Sequence, residues 1–136
     1  MYELSNISIV IVSFNSEEKL FELFPSIPES CELIIVNNAS NSLPQELKKS
    51  RDFIEIHNSE NKGFGTACNI GVTKASKDFI FLLNPDTFLK DHCLENLLKV
   101  CKDFPNASAF TPKITNKKNK EDFKRRSILL DRGQWL

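Results

Sequence analysis

The sequence has no long apolar run, no paired cysteines and no excess of charge of either sign. No window approaches the roughly 18 apolar residues of a membrane-spanning helix, and the polar residues 1–6 argue against a secretory signal. The four cysteines form no Cys-x-x-Cys pair and have no histidine at metal-binding spacing, which predicts reduced thiols in a cytoplasmic protein. Eighteen basic residues balance eighteen acidic ones, so the charge gives no support to nucleic-acid binding.

Histidine and glycine are also scarce, and their placement excludes several enzyme classes. His57 and His92, the only histidines, stand in no constellation with serine, cysteine or aspartate that would support a hydrolase triad. Three of the four glycines lie within residues 58–71, but they match neither the dinucleotide-binding G-x-G-x-x-G pattern nor a P-loop. Small residues that open a helix still let a ligand approach backbone N–H groups.

Apolar runs alternate with amphipathic stretches along most of the chain. This alternation predicts an α/β fold, a doubly wound and mostly parallel sheet flanked by helices. The predicted strands are residues 7–12, 32–37, 53–57, 79–83 and 107–111. The predicted helices begin near Ser16 and cover residues 44–49, 66–75 and 91–104.

Polar loops follow three of the predicted strands, at residues 13–16, 37–42 and 84–87. In a doubly wound sheet these loops face one crevice at the carboxyl ends of the strands, where ligands bind. Their Asn, Ser and Asp side chains can hold a base, a ribose or a metal–diphosphate. Phe14 is either a contact for a base or a core aromatic, and Asn15 either shapes the loop or caps a helix.

The run that ends in Asn84-Pro85-Asp86-Thr87 is the strongest chemical signal. Pro85 cannot continue a strand, so the Asp86 carboxylate is left at the strand's carboxyl end. A carboxylate there suits a divalent cation shared with phosphate oxygens. The alternative is a turn in which Asp86 and Thr87 cap the next helix.

Four segments in order resemble the nucleotide-sugar domain of glycosyltransferase family 2, in particular its rhamnosyltransferase-like branch. They read IVIVSFNS (9–16), IIVNNAS (34–40), NKGFGTACNIG (61–71) and FLLNPDT (81–87), and the resemblance covers about residues 6–110. It implies a GT-A (Rossmann-like) fold that binds a nucleoside-diphosphate sugar of the UDP or dTDP type with Mg²⁺ or Mn²⁺. It further implies sugar transfer to a glycan or lipid-linked acceptor in cell-surface polysaccharide synthesis.

The resemblance also assigns residues to the site. The residues placed around the nucleotide sugar are Ser13, Phe14, Asn15, Asn37, Lys62, Gly63, Asn69, Asn84 and Asp86. Asp86 corresponds to the metal-binding acid of the family's Asp-x-Asp motif, with Asn84 at its first position. From the residues alone, Lys62 is either a partner for phosphate or an exposed lysine. Asn37 departs from the family, whose second strand ends in Asp-Asn, and it brings no negative charge.

The family's general base and acceptor-binding half have no match after Thr87, so the chain is expected to be truncated. We predict a nucleotide-sugar-binding domain at residues 1–111, followed at 112–136 by a basic tail or the start of a missing acceptor-binding part. Seven basic residues face two acidic ones between 113 and 126. Such a segment is either solvated or a peripheral contact with anionic lipid at the inner membrane face.

Two other functions compete with transfer. One is a non-catalytic nucleotide-binding or interaction module that kept the fold. The other is a nucleotidyltransferase, which is disfavoured because residues 13–16 contain neither glycine nor a basic residue after the first strand.

Overall fold

The computed structural model describes residues 1–39, 41–116, 118 and 128–131. Its strands are β1 (Ile7–Ser13), β2 (Glu32–Asn37), β3 (Ile54–His57), β4 (Phe79–Leu83), β5 (Ala109–Phe110) and β6 (Ile128–Asp131). Its helices are α1 (Glu17–Leu23), α2 (Gln45–Ser50), α3 (Phe64–Lys74) and α4 (Cys93–Asp103), with 3₁₀ turns at Leu4–Asn6 and Phe24–Ser26.

The strands form one six-stranded sheet in the order β3-β2-β1-β4-β6-β5. β1 to β4 are parallel, and β6 runs antiparallel to both β4 and β5. The order reverses around β1, which lies between β2 and β4, as in other doubly wound sheets. The predicted α/β class and mostly parallel sheet are confirmed.

Helices cover both faces of the sheet, which explains the wholly apolar central strands. On one face, Ile7, Ile9 and Ile11 of β1 belong to a core with buried leucines of α1, α2 and α4. On the other face, Val10 and Val12 belong to a second core with the buried side of α3. Because α3 (from Phe64) follows the carboxyl end of β3 (His57) after a short loop, its first turn lies at the carboxyl edge of the sheet.

Gly71 lets α3 lie close to the sheet. A Cβ atom there would overlap Val10 Cγ1 and lie 3.0 Å from Val36 Cγ2. The close approach fixes the height of α3 above β1 and β2, and with it the position of the loop that precedes the helix.

The region beyond residue 111 contributes a strand that the sequence pattern did not predict. β6 pairs with β4 from the Phe79/Asp131 pair to the Leu82/Ile128 pair, and its residue Leu129 is fully buried. Of the seven basic residues between 113 and 126, Lys113 and Lys118 are described, and the other five lie outside the described residues, as do Trp135 and Leu136. The division at residue 111 stays a prediction. No helix in the described ranges is long and apolar enough to cross a bilayer.

Candidate functional site

The carboxyl ends of β1, β2 and β3 meet at one edge of the sheet. Ser13 pairs in register with Asn37, and Asn37 pairs with His57. Leu83, the last residue of β4, pairs with Ile11. Each of these loops therefore starts about one strand spacing from the loop of the neighbouring strand, at the same edge of the sheet, as the sequence pattern predicts.

Asn38 links the loops that follow β1, β2 and β3. Its backbone N–H donates to Ser13 O at 2.7 Å. Its side-chain Oδ1 accepts from Asn58 Nδ2 at 3.0 Å and from Lys62 N at 3.1 Å, while its Nδ2 donates to Asn61 Oδ1 at 2.8 Å. Asn38 is 2% exposed and Asn58 is buried as well, so the bond between them is shielded from water, and the whole set of bonds holds the three loops together.

Asn37 shapes its own loop. Its side chain is fully buried, with Oδ1 accepting from Ala39 N at 3.2 Å and Nδ2 donating to Asn41 O at 2.8 Å. An aspartate at this position would have no hydrogen to donate to Asn41 O. Asparagine in place of the family's aspartate therefore allows this hydrogen bond to Asn41 O, which closes the loop after β2.

Ser13 and the two residues after it lie directly at the edge. Ser13 is fully buried, and its Oγ is the buried side-chain polar atom without a hydrogen-bond partner among the described residues. Phe14 is half-exposed, which excludes the core-aromatic interpretation. Asn15 adopts a left-handed φ of 51°, a conformation that asparagine tolerates. Ser16 occupies the N-cap position of α1, but its Oγ bonds to Phe14 instead of the helix.

The glycine loop leads into α3. Gly63 has a φ of 80°, where a Cβ would be strained, and its N–H donates to Asn61 Oδ1 at 2.9 Å. Lys62 and Phe64 are exposed beside it. Asn69 is exposed as well, but it lies about 140° around α3 from Phe64. The structure therefore does not bring Asn69 to the crevice with the other assigned residues.

The segment after β4 forms a turn, with Thr87 Oγ1 donating to Asn84 O at 2.6 Å. Asn84 and Asp86 are half-buried in it. α4 begins only at Cys93, with His92 at its N-cap position and a φ of 59°. Asp86 and Thr87 thus do not cap the next helix, and that alternative is wrong.

The remaining histidine, cysteine and groove residues carry none of the assigned roles. His57 Nε2 is 2.9 Å from Ala39 O and so supports the loop after β2. Burial raises the pKa of Cys31 and of Cys101 to about 11, which keeps both thiols protonated at neutral pH. An open groove of about 650 Å³ between residues 22–29 and 88–95 contains none of the nine assigned residues.

Sequence reasoning assigned no role to Asn38 or Asn58, and it placed Asn61 and Phe64 only as members of the 61–71 loop that the resemblance puts beside the nucleotide. The available signal was the density of asparagine in the segments 37–41 and 58–61, since asparagine both donates and accepts hydrogen bonds in turns. The pairings between these asparagines span about 20 residues of sequence. They follow from the parallel pairing of β2 with β3, which the sequence alone does not specify.

The sequence matches Glycosyl transferase family 2 over residues 8–135. It is 30% identical over 125 residues to the poly-beta-1,6-N-acetyl-D-glucosamine synthase of Staphylococcus aureus (strain COL). That match covers 85% of this chain and 30% of the synthase. The chain thus spans less than a third of the length of this curated relative.

Two solved structures share the fold. The mannosyltransferase PcManGT from Pyrobaculum calidifontis, in complex with GDP-Man and Mn²⁺, gives a TM-score of 0.70 at 15% identity and covers 84% of this chain and 36% of that chain. S. aureus TarS 1-349 in complex with UDP-GlcNAc gives a TM-score of 0.61 at 16% identity and covers 81% of this chain and 40% of that chain.

These likenesses establish the GT-A arrangement of the sheet and its helices, and they agree with the fold implied by the four sequence segments. The rhamnosyltransferase-like branch stays a prediction. The family match extends over nearly all of the chain, from β1 to beyond β6. The chain belongs to glycosyltransferase family 2.

Proposed function

We propose that this chain binds a nucleoside-diphosphate sugar at the carboxyl edge of the sheet and serves sugar transfer to a glycan or lipid-linked acceptor. The observation that carries the proposal is the Asn38 network, which holds three polar loops together beside β4, the strand that leads into the turn with Asp86. A site built for a ligand also accounts for the buried, unpartnered Oγ of Ser13.

Each loop has a proposed role. Ser13, Phe14, Asn15 and Asn37 surround the base and ribose. Lys62 and Gly63 border the nucleotide, with the Lys62 ammonium available to phosphate. Asn69 has the weakest support of the nine assigned residues, because it lies about 140° around α3 from Phe64.

The residues after β4 fit a divalent cation. Asp86 and Asn84 offer oxygen ligands, which Mg²⁺ and Mn²⁺ prefer. No group of three His, Cys, Asp or Glu side chains suited to a metal occurs within the described ranges. Asp86 would therefore share the ion with phosphate oxygens and water, as is usual for magnesium. When bound, the cation would neutralise the charge of the diphosphate leaving group.

The names of the relatives support a sugar donor without defining it. TarS was solved with UDP-GlcNAc, PcManGT with GDP-Man and Mn²⁺, and the staphylococcal relative is a polysaccharide synthase. We propose a UDP- or dTDP-sugar as the donor and cell-surface polysaccharide synthesis as the process. The general base that activates the acceptor hydroxyl is proposed to lie outside these 136 residues.

Thermal unfolding with UDP, dTDP and GDP, each with and without Mn²⁺, tests donor binding. One nucleotide should stabilise the wild type by about 2.7 kcal/mol at a concentration 100 times its Kd, and only with the metal present. Asp86→Asn should lose most of this gain, because it removes the charge that holds the ion. Asp103→Asn, an equal charge change at the exposed end of α4, should retain the gain.

The proposal fails if none of the three nucleotides stabilises the wild type, or if Asp86→Asn responds as the wild type does. Sugar-nucleotide hydrolysis measured on the same samples distinguishes the competing module hypothesis. Binding without any turnover, in this chain and in a longer version of the reading frame, would favour a non-catalytic module.

A further inference from the structure

Two phenylalanines at the carboxyl edge of the sheet are exposed to solvent. Phe14, the first residue after β1, is 50% exposed, and Phe64, the first residue of α3, is 58% exposed. A side chain of this size gains free energy when it is buried against another molecule. Two such rings beside one ligand site are therefore a candidate contact surface.

Phe64 lies on the side of α3 that faces the sheet. In an α-helix, positions three, four and seven residues apart share one face. Phe64 therefore shares its face with Ala67, Cys68 and Gly71, the buried residues of α3. Those three pack over β1 and β2, but Phe64 lies one turn further toward the carboxyl edge, where both strands have ended. This position explains why a residue on the buried face of the helix is exposed.

Phe14 follows the strand residues that contact the same helix. Val10 and Val12 belong to the core on the α3 side of the sheet, whereas Ile9 and Ile11 belong to the core on the other side. By this alternation, Phe14 continues the α3 side beyond the end of β1. Phe14 and Phe64 thus extend the same apolar layer past the edge of the sheet.

Asn38 fixes the backbone next to each of the two rings. Its N–H bonds to the carbonyl of Ser13, directly before Phe14, and its Oδ1 accepts from the N–H of Lys62, two residues before Phe64. Both connections involve one buried residue, through its backbone in the first case and its side chain in the second. The backbones that carry the rings are therefore positioned before a ligand arrives, which lowers the entropic cost of binding.

We infer that Phe64 contacts the nucleobase of the bound donor and forms, with Phe14, the aromatic wall of the base site. The inference rests on the proposed function and deepens it by assigning a residue to base recognition. A planar nucleobase suits this surface because an aromatic side chain can stack on any base, whatever hydrogen-bond donors and acceptors that base carries. The buried amides of Asn37 and Asn38 are already hydrogen-bonded within the protein. Stacking therefore supplies more of the contact with the base than hydrogen bonds from these two amides do.

Isothermal titration with UDP, dTDP and GDP in the presence of Mn²⁺ tests this role on the 136-residue chain. For the nucleotide that the wild type binds most tightly, Phe64→Ala should raise Kd about tenfold, within the range known for loss of base stacking. Phe64→Tyr keeps a ring and should stay within about twofold of the wild type. Phe104→Ala is the matched control, because Phe104 is 61% exposed just after α4, away from this edge.

The possible outcomes separate this inference from the proposed function. If the wild type binds a nucleotide and Phe64→Ala binds it equally well, the assignment of Phe64 is overturned and donor binding stands. If Phe64→Tyr is as weak as Phe64→Ala while both keep the thermal stability of the wild type, stacking is overturned as the mechanism. If the wild type binds none of the three nucleotides, the proposed function fails, and this inference fails with it.

Discussion

At the scale of single residues, the edge of the sheet depends on side chains that no simple motif identifies. Asn38 uses both ends of its amide, and replacing it by a residue with only acceptors would remove one of the two donors to Asn61 Oδ1 and leave only Gly63 N. Asn37 does the same within its own loop. Asn37, Asn38 and Asn58 are buried, so loss of the bond between Asn38 and Asn58 would leave a polar group unpaired away from water.

Gly71 gives a prediction at this scale. Gly71→Ala should lower the free energy of unfolding by about 1–3 kcal/mol, because the new methyl group overlaps Val10 Cγ1 in a packed interface. The measurement is urea unfolding followed by circular dichroism. Gly65→Ala is the control, since a Cβ there meets nothing within 4 Å and alanine favours the helix. Equal stability of the two variants would show that α3 can lift from the sheet at no cost.

At the scale of elements, the sequence predicted the parallel strands better than the connections. The bounds of β2 and β4 match the prediction because uninterrupted apolar runs flanked by polar residues leave little ambiguity. α3 begins at Phe64, two residues before the predicted start, because Gly63 at φ 80° allows the backbone to turn into the helix there. The predicted strand at 107–111 is reduced to the two residues of β5.

β6 was missed for a physical reason. Its residues, Ile-Leu-Leu-Asp, follow a strongly basic segment and form too short a run to be distinguished from a helix or a loop. The strand exists because β4 offers it an edge to pair with, and such a long-range pairing has no local signature. The same holds for the site loops. Their positions at the carboxyl edge could be predicted from the alternation of strands and helices, but the hydrogen bonds between them could not.

Glu32 joins three elements at the amino ends of the strands. Its carboxylate accepts hydrogen bonds from Ser8 Oγ, from Ser76 N at 2.9 Å and from Ser76 Oγ at 2.7 Å. Burial alone would raise the pKa of Glu32, but these bonds and the nearby Lys77 outweigh it and lower the pKa below its ordinary value of 4.5. The charged carboxylate therefore stabilises the connection between α3 and β4.

The pH dependence of stability checks this connection. Because the folded pKa lies below the unfolded one, the contribution of Glu32 is complete above pH 4.5 and is lost as the pH falls through the folded value. Glu32→Gln should unfold at a lower temperature than the wild type at pH 7, and the difference should narrow in acid. A difference that stays constant from pH 7 to pH 3 would contradict this assignment.

At the scale of the whole molecule, the sheet is continuous from β3 to β5, and the region beyond residue 111 supplies one of its inner strands. Leu129 is fully buried in the core that contains α1 and α4, whereas Leu130 packs partly buried on the α3 side. The predicted division between a domain and a tail therefore has to allow for four tail residues inside the sheet. The family match to residue 135 agrees with that arrangement.

A pair of neighbouring substitutions measures how far β6 belongs to the core. Leu129→Ala should reduce the free energy of unfolding by about 2–5 kcal/mol, the usual cost of truncating a buried leucine. Leu130→Ala, with the same chemistry on the half-buried face, should cost clearly less. Chemical denaturation of both variants measures the two losses in the free energy of unfolding. If Leu129→Ala were as stable as the wild type, β6 would contribute little to the fold in solution.

The position of β6 also has a consequence for synthesis on the ribosome. β6 lies between β4 and β5, although β5 precedes it in the chain. The outer edge of β4 therefore stays unpaired until Asp131 has been added, about 50 residues after Leu83. At about 5–20 residues per second, that interval lasts about 2–10 s. For those seconds the nascent chain presents an open, apolar strand edge, which is the kind of surface that chaperones must shield from neighbouring chains.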